Sequence, residues 1–160
     1  MRETAEELGK ILVKACSMLT LIEEEDASFK PAPDKWSKKE ILGHLIDSAS
    51  NNHQKFVRTM AEKHVDFVGY QQNHWVDSQK YHTRFWQDLL VFWTLYNLHL
   101  AQIIENVAPE ALANEIVIDG AGPFTLEFIM KDYVEHLKHH LKQILPEADL
   151  QSNFQNIYNT

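Results

Sequence analysis

Apolar residues recur at helical spacing in four separate stretches of the chain, and this periodicity constrains the fold more than any other feature. The first stripe consists of Leu8, Ile11, Leu12, Ala15, Leu19 and Ile22. Such stripes are typical of amphipathic helices that pack one face against a core. The periodicity predicts four long helices, at about residues 2–25, 37–62, 79–106 and 125–145.

Two of these helices begin at recognisable caps. Ser37 and Glu40 form the Ser-x-x-Glu pattern of a capping box, in which the serine caps the helix and the glutamate reaches back to the capping residue. Thr125 is the expected N-cap of the last helix. Pro146 follows the end of that helix, where a proline cannot continue it.

Two connections and a tail lie outside the four stretches. Residues 63–78 lack clean periodicity and are predicted to form an ordered crossover between helices 2 and 3. Residues 115–120 form a short extended segment before helix 4, with a small hairpin and an extended loop as open alternatives. We therefore predict an all-α protein, a four-helix bundle whose single domain spans 1–160. Its core lies in 2–145, and a polar tail, 146–160, either docks or frays.

Composition agrees with a helical protein and limits its partners. Five glycines and five prolines are fewer turn residues than all-β folds usually need. The single cysteine, Cys16, excludes an internal disulfide framework and is interpreted as a buried structural thiol rather than a nucleophile. A net charge of -8 argues against nucleic acid as a partner. The most apolar stretch, 89–104, is too short and too polar to cross a membrane, so we expect a cytoplasmic protein.

Two of the nine histidines stand out by their spacing. His136 and His140 are four residues apart, so they stack on one face of the last helix, where two imidazoles are able to bind one metal ion. Chance alone would give about half of one such pair in this chain. The apolar stripe continues through the pair, which places it on the buried face. A pair of exposed or hydrogen-bonded histidines is the alternative that spacing leaves open.

A third histidine completes the candidate site. His44 follows Ile41 by three residues on the second helix, at or beside its apolar stripe, although a single histidine there is more often a satisfied core residue. Together with His136 and His140 it would supply three neutral nitrogen ligands and leave coordination positions open, as catalytic sites require. The second and fourth long helices must then be neighbours. His53, nine residues later, is turned to nearly the opposite face.

Four further residues are candidates for a supporting role around the ion. Asp47 lies one turn after the histidine of the second helix, and Asp132 lies one turn before the pair on the last helix. A carboxylate there would fix the tautomer of a ligating ring, although an ordinary surface charge is the alternative for both. Tyr133 shares the stripe of the last helix, and His99 of the third helix is placed to line the site.

The residues around these histidines resemble the DinB-like superfamily of metal-binding bundles. The second-helix motif consists of Trp36-Ser37, Ile41-Leu42-Gly43-His44-Leu45-Ile46-Asp47-Ser48, Asn51 and Phe56. The last-helix motif consists of Tyr133, His136, His139, His140 and Gln143-Ile144. The segment from Gly69-Tyr70 to Trp75 is similar to the loop of the branch that includes YfiT-like hydrolases and bacillithiol S-transferases. The resemblance spans about residues 30–145.

This resemblance implies a topology, a cofactor and partners. It implies an up-down-down-up bundle that holds one divalent metal ion, often nickel or zinc, on His44, His136 and His140. It further implies a small-molecule substrate, a low-molecular-weight thiol cosubstrate and a homodimer. Two departures leave the substrate subgroup unspecified: Gln72 stands where that branch often has a glutamate, and Gly43 stands where a second histidine can occur.

Two classes of function follow from these observations. The first is a metal-dependent enzyme, either a hydrolase, from the general chemistry of an open three-histidine site, or a thiol S-transferase, from the resemblance. The second is a non-catalytic, metal-stabilised bundle that serves in stress response or binds a small ligand. The second class predicts a closed site without a pocket, whereas a pocket that reaches the histidines favours catalysis.

Overall fold

A computed structural model describes residues 1–157 of the chain. Within these residues it contains six α-helices, three short strands and two 3-10 turns, at Tyr81–Thr83 and Pro109–Ala111. The helices are α1 (Arg2–Leu19), α2 (Glu24–Ser28), α3 (Lys38–Ala61), α4 (Gln72–Gln79), α5 (Trp86–Glu105) and α6 (Leu126–Ile144). The strands are β1 (His64–Phe67), β2 (Glu115–Ile118) and β3 (Ala121–Thr125).

The four long helices, α1, α3, α5 and α6, form the core. Both α1 and α3 pack against α5 and α6, so the second and fourth long helices are neighbours, as the sequence predicts. Leu8, Ile11, Leu12, Ala15 and Leu19 of the first predicted stripe are buried, and the core also includes apolar residues of the strands and the tail, among them Val65, Ile116 and Leu150. Cys16 is only half-buried rather than buried, and its Sγ lies 3.2 Å from Thr94 Oγ1. Between residues 1 and 157 the protein has no helix both long and apolar enough to cross a membrane.

Both predicted caps are confirmed. Ser37 Oγ accepts a hydrogen bond from the Glu40 backbone N–H at 3.3 Å, and Glu40 Oε2 accepts from the Ser37 N–H at 2.7 Å. At the start of α6, Thr125 Oγ1 accepts from the Phe128 N–H at 3.2 Å. Caps of this kind stabilise a helix by about 1 kcal/mol each. They fix where α3 and α6 begin, and therefore the position of every side chain that these helices carry.

The prediction of an all-α protein was wrong in part. The protein is mostly helical but also contains a three-stranded sheet. Strand β1 pairs in parallel with β2, with His64 opposite Glu115, and β2 pairs with β3 in an antiparallel hairpin. Asp119 and Gly120 form its two-residue turn with φ of 49° and 82°, a conformation that suits an Asp-Gly sequence. The hairpin alternative for 115–120 is therefore confirmed. The crossover 63–78 is not a loop throughout, because it contributes β1 and most of α4.

Two predicted helix boundaries were also wrong. The first helix ends at Leu19 rather than at residue 25, because the chain turns there and begins α2 after extended Glu23. Tertiary contacts hold α2 in place, since Glu24 Oε2 accepts a hydrogen bond from the Trp86 backbone N–H at 2.8 Å. The third long helix begins at Trp86 rather than at residue 79, because left-handed Lys80 (φ 51°) ends α4 before it.

A close contact fixes the crossover against α3. The ring of Tyr81 lies directly over Gly43, where an added Cβ would fall 2.1 Å from the ring. The Tyr81 hydroxyl donates a hydrogen bond to Asp47 Oδ1 at 2.6 Å, and Gln79 Nε2 donates to the same oxygen at 2.6 Å. These contacts hold the end of the crossover on the first turns of α3, beside His44.

Candidate metal centre

Three histidines from two helices converge in the bundle. His44 projects from α3, and His136 and His140 project from α6. Their ring centroids lie 5.2 Å apart for His44 and His136, 4.6 Å for His44 and His140, and 4.5 Å for His136 and His140. One nitrogen of each ring lies within 4.8 Å of the other two. The helix phase that buries the apolar stripe of α6 therefore brings its histidine pair onto the histidine of α3.

Burial keeps the three imidazoles neutral. Desolvation and the neighbouring His140 lower the pKa of His44 to about 3. Desolvation also lowers the pKa of His140, to about 4. The pKa of His136 falls well below its ordinary value because the ring is desolvated and lies beside the other two. A neutral imidazole is the form that binds a metal ion, so protons compete weakly for these nitrogens at neutral pH.

Two polar side chains orient the rings of α6. His140 Nδ1 lies 3.3 Å from Gln143 Oε1, an oxygen that only accepts, so this nitrogen carries the proton and Nε2 keeps its lone pair. His136 Nδ1 lies 3.3 Å from Ser48 Oγ, which leaves Nε2 of that ring facing His44. Outer partners of this kind fix the tautomer of a ligating histidine.

The arrangement of the nitrogens fits a divalent ion. His44 Nε2 and His136 Nε2 are 3.4 Å apart. Bonds of about 2.0 to 2.1 Å in a tetrahedral site would place two ligand nitrogens about 3.3 Å apart. His44 Nδ1 is buried and has no hydrogen-bond partner in the described chain, so the cluster holds more buried nitrogen than protein groups satisfy. A shared ion would compensate such buried polar atoms.

A pocket reaches the cluster from outside. It has a volume of about 280 Å³, and His136 and His140 line it, whereas His44 lies beneath them and is fully buried. Polar and aromatic groups from α3, α6, the crossover and the tail complete its walls, among them Asn52, Tyr70, Gln72, Asp132 and Phe154. The histidines are therefore open to a small molecule on one side and sealed by the core on the other.

A lysine adds positive charge to this pocket. Lys55 lines the pocket from α3, three turns after His44. Burial lowers its pKa to about 8, although the carboxylates of Asp132 and Asp119 oppose the shift. Lys55 was not among the site residues predicted from the sequence, and Ser48 and Gln143 were named only as part of the family motifs. Helical spacing could have indicated all three, since each lies whole turns away from a histidine of the cluster.

The supporting residues expected from the sequence have other contacts. Asp47 accepts hydrogen bonds from Tyr81 and Gln79. Within the described residues, its side chain makes no hydrogen bond with a histidine ring of the cluster. Its other oxygen, Oδ2, is buried without a hydrogen-bond partner. Burial, opposed by these two hydrogen bonds, raises the pKa of the carboxyl group. Asp47 therefore holds the crossover.

The remaining candidates divide between the pocket and another surface. Tyr133 and Asp132 both line the pocket, and the buried Tyr133 hydroxyl donates a hydrogen bond to Asn97 Oδ1. His99 lies on α5 beside His53, at a ring-centroid distance of 5.1 Å, and does not join the cluster. His53, as expected, faces away from His44.

The fold is a helical bundle, and three neutral histidines converge below its pocket. These features are typical of the class of helical bundles that form a metal site from side chains on facing helices. The sequence identifies the family within that class. The DinB superfamily matches residues 14–144, so the chain belongs to this superfamily, as its motifs predicted. No curated protein matches the chain.

A solved structure has the same fold. It is YfiT from Bacillus subtilis, described as a probable metal-dependent hydrolase with an unusual four-helix bundle topology. The two chains superpose with a TM-score of 0.80, and the match covers 90% of this chain and 83% of YfiT. Their sequences are 16% identical, so the likeness concerns the fold alone.

Proposed function

We propose that this protein is a metal-dependent enzyme that holds one divalent ion on His44, His136 and His140 and acts on a small molecule. The observation that carries the proposal is the convergence of three neutral imidazoles at the base of an open pocket. When bound, the ion would supply Lewis acidity, which lowers the pKa of a thiol or of water and so generates a nucleophile at neutral pH.

The side chains of the pocket have distinct tasks in this proposal. Gln143 keeps the Nε2 lone pair of His140 directed into the cluster, and Ser48 holds the ring of His136 with Nε2 toward His44. Lys55 supplies positive charge that attracts an anionic nucleophile or substrate group. Trp36 packs on His44 at a ring-centroid distance of 5.1 Å and covers one side of that ring.

We propose a thiol S-transferase as the first activity, in which a low-molecular-weight thiol attacks a small electrophile. The support is the resemblance of the histidine motifs to the thiol-using branch of the superfamily, together with nickel or zinc as the expected ion. Hydrolysis of a small molecule is the second candidate, and the fold shared with a probable metal-dependent hydrolase favours it. Both reactions use the same ion and pocket and differ in the nucleophile.

The non-catalytic alternative predicts a different site. A structural metal site is closed by four protein ligands, whereas a catalytic one keeps a position open. Three histidines form the cluster within residues 1–157, and two of them line a pocket. This arrangement favours an enzyme over a metal-stabilised bundle without activity.

One experiment tests the proposal and separates its two versions. The protein is purified anaerobically, its metal content is measured, and the loaded protein is assayed with an electrophilic substrate in the presence and absence of a panel of thiols. We expect about one divalent ion per chain and product formation that requires both ion and thiol. Turnover of ester or amide substrates without thiol would support the hydrolase. Loaded protein with neither activity would support the non-catalytic alternative.

A further inference from the structure

The tail after α6 docks beside the histidines. Ala148 and Leu150 are buried, and Ser152 Oγ donates a hydrogen bond to the Glu135 carbonyl oxygen at 2.8 Å. The Asn153 backbone N–H donates to Glu135 Oε2 at 2.6 Å. The docking alternative for 146–160 is therefore confirmed over the described part, while residues 158–160 lie outside it.

These bonds place one aromatic ring at the pocket. The Phe154 N–H donates to Ser152 Oγ at 3.1 Å, which fixes the backbone where the ring turns inward. The ring then packs edge-on against His136 at a centroid distance of 4.9 Å and against His139 at 5.5 Å. It lines the same pocket as His136 and His140. Phe154 is thus the apolar wall closest to the exposed side of the cluster.

We propose that Phe154 is a specificity-determining residue, which limits the bulk of the group that reaches the metal centre. Ser152 is the positioning residue that holds it there. This inference rests on the proposed metal site. It predicts that the pocket admits small molecules with a slender head group and excludes those with a bulky aromatic head group.

The physical reason is the position of the ring and the anchoring of its backbone. The ring contacts His136 and His139 and occupies space beside the cluster that the head group of a ligand would need. The ring cannot swing away freely, because hydrogen bonds of Ser152, Asn153 and Phe154 fix the backbone up to the residue that carries it. Differences in ligand size of one or a few carbon atoms change affinity by about 10- to 200-fold in fitted pockets.

The test uses the full-length protein loaded with Co²⁺, whose visible spectrum reports ligand binding at the ion without any need for turnover. Titrations with 2-mercaptoethanol and with benzyl mercaptan give an affinity ratio of small to bulky thiol for each variant. We expect Phe154→Ala to shift this ratio toward benzyl mercaptan by about tenfold, and Phe154→Leu to shift it less. Ser152→Ala should shift it in the same direction by about threefold, because the ring remains but its anchor is lost.

The control is Phe128→Ala, which removes an aromatic ring that packs on Phe124 and does not line the pocket, so the ratio should be unchanged. If Co²⁺ binds normally and the ratio in Phe154→Ala and Ser152→Ala equals that of the parent protein, the inference is wrong while the metal site stands. If Co²⁺ fails to bind, or if neither thiol alters its spectrum, the proposed site fails and this inference with it. Circular dichroism shows whether Phe154→Ala is folded, and Ser152→Ala provides the test if it is not.

Discussion

Helix α3 presents a histidine to each of two neighbouring helices, with different results. His44 faces α6, is fully buried and meets two further rings. His53 faces α5, is half-buried and meets one ring, that of His99, while its Nδ1 lies 3.3 Å from the Tyr96 hydroxyl. Both interfaces bring histidines together at similar centroid distances. Of these two interfaces, only α3–α6 adds a third ring, strong desolvation and a pocket.

Since both interfaces bring histidines together, proximity alone does not select the candidate metal centre. At the α3–α5 surface the pKa of His53 is lowered by desolvation and by His99, but solvent is available to compensate both rings. At the α3–α6 interface the rings depend on one another and on Ser48 and Gln143. Buried nitrogens without a better partner would favour a shared ion, which supports the metal site proposed at the α3–α6 interface.

The largest expected effect follows from removing a ligand of the cluster. His44→Ala, His136→Ala and His140→Ala should each weaken metal binding by more than about 100-fold, since changes in the outer partners alone cost about 10- to 100-fold. His53→Ala and His99→Ala are matched controls that should bind metal normally. Metal content after dialysis measures both groups. An equal loss of metal in His53→Ala would show that the metal site had been assigned to the wrong interface of α3.

A smaller loss is expected from the group that orients His136. Ser48→Ala removes the partner of Nδ1 and should weaken metal binding by about 10-fold, the lower end of the range for outer partners. Ser50→Ala is the matched control on the same helix, because Ser50 Oγ donates only to the Asp47 carbonyl oxygen among described hydrogen bonds. Competition with a chromophoric chelator measures both affinities. Identical affinities for the two variants would contradict the orienting role of Ser48.

The histidines of the cluster should make the metal-free protein sensitive to acid. Their pKa values lie near 3 for His44 and near 4 for His140 in the folded state, but near 6.5 in the unfolded chain. The unfolded state therefore takes up protons first as pH falls below 6.5, and each such histidine lowers the free energy of unfolding by about 1.4 kcal/mol per pH unit. The stabilisation is fully present above pH 6.5 and is lost toward pH 3.

Urea unfolding of the metal-free protein between pH 7 and pH 4 measures this dependence. His44→Leu should make the free energy of unfolding depend less on pH, because the substitution removes one group that takes up a proton on unfolding. His53→Ala should reduce this dependence much less, since His53 is only half-buried. A slope equal to that of the parent protein in His44→Leu would contradict the account of burial.

The smallest expected effect is that of metal removal on the fold. The apolar stripes of α1, α3, α5 and α6 drive packing without help from the ion, so chelation should abolish activity and leave most of the helical circular dichroism signal. Only a moderate fall in melting temperature is expected, because any ligand specific to the native state stabilises it by mass action. Complete unfolding on chelation would instead favour the structural, non-catalytic reading.

The features that could be predicted from sequence are those set by local spacing. The capping box at Ser37 depends only on residues within one turn and was confirmed. The phase of His136 and His140 also depends only on nearby residues, and it places both rings, half-buried, beside the apolar stripe of α6 and next to His44. The prediction that the second and fourth long helices are neighbours followed from the proposed metal site, which requires His44 to lie beside His136 and His140. These predictions rest on helical geometry, which does not depend on the rest of the fold.

What escaped prediction depends on residues distant in sequence. Strand β1 forms because His64–Phe67 pairs with β2, which lies about fifty residues later in the chain. Such a pairing produces no local periodicity of apolar residues in the sequence. The Asp119-Gly120 turn was a stronger hairpin signal than the interpretation allowed. The end of α1 and the docking of Phe154 depend on tertiary hydrogen bonds of Glu24 and Glu135, which sequence periodicity cannot show.

The contact between Gly43 and Tyr81 also bears on how this site could change in evolution or by design. A side chain at position 43 would collide with the ring, because its Cβ would fall 2.1 Å from it, and would dislodge the turn that carries the ring. Positions 43 and 81 are therefore coupled, and a larger residue at one demands a smaller residue at the other. Grafting a fourth histidine beside His44 would require both substitutions at once, with loss of the Tyr81 hydrogen bond to Asp47.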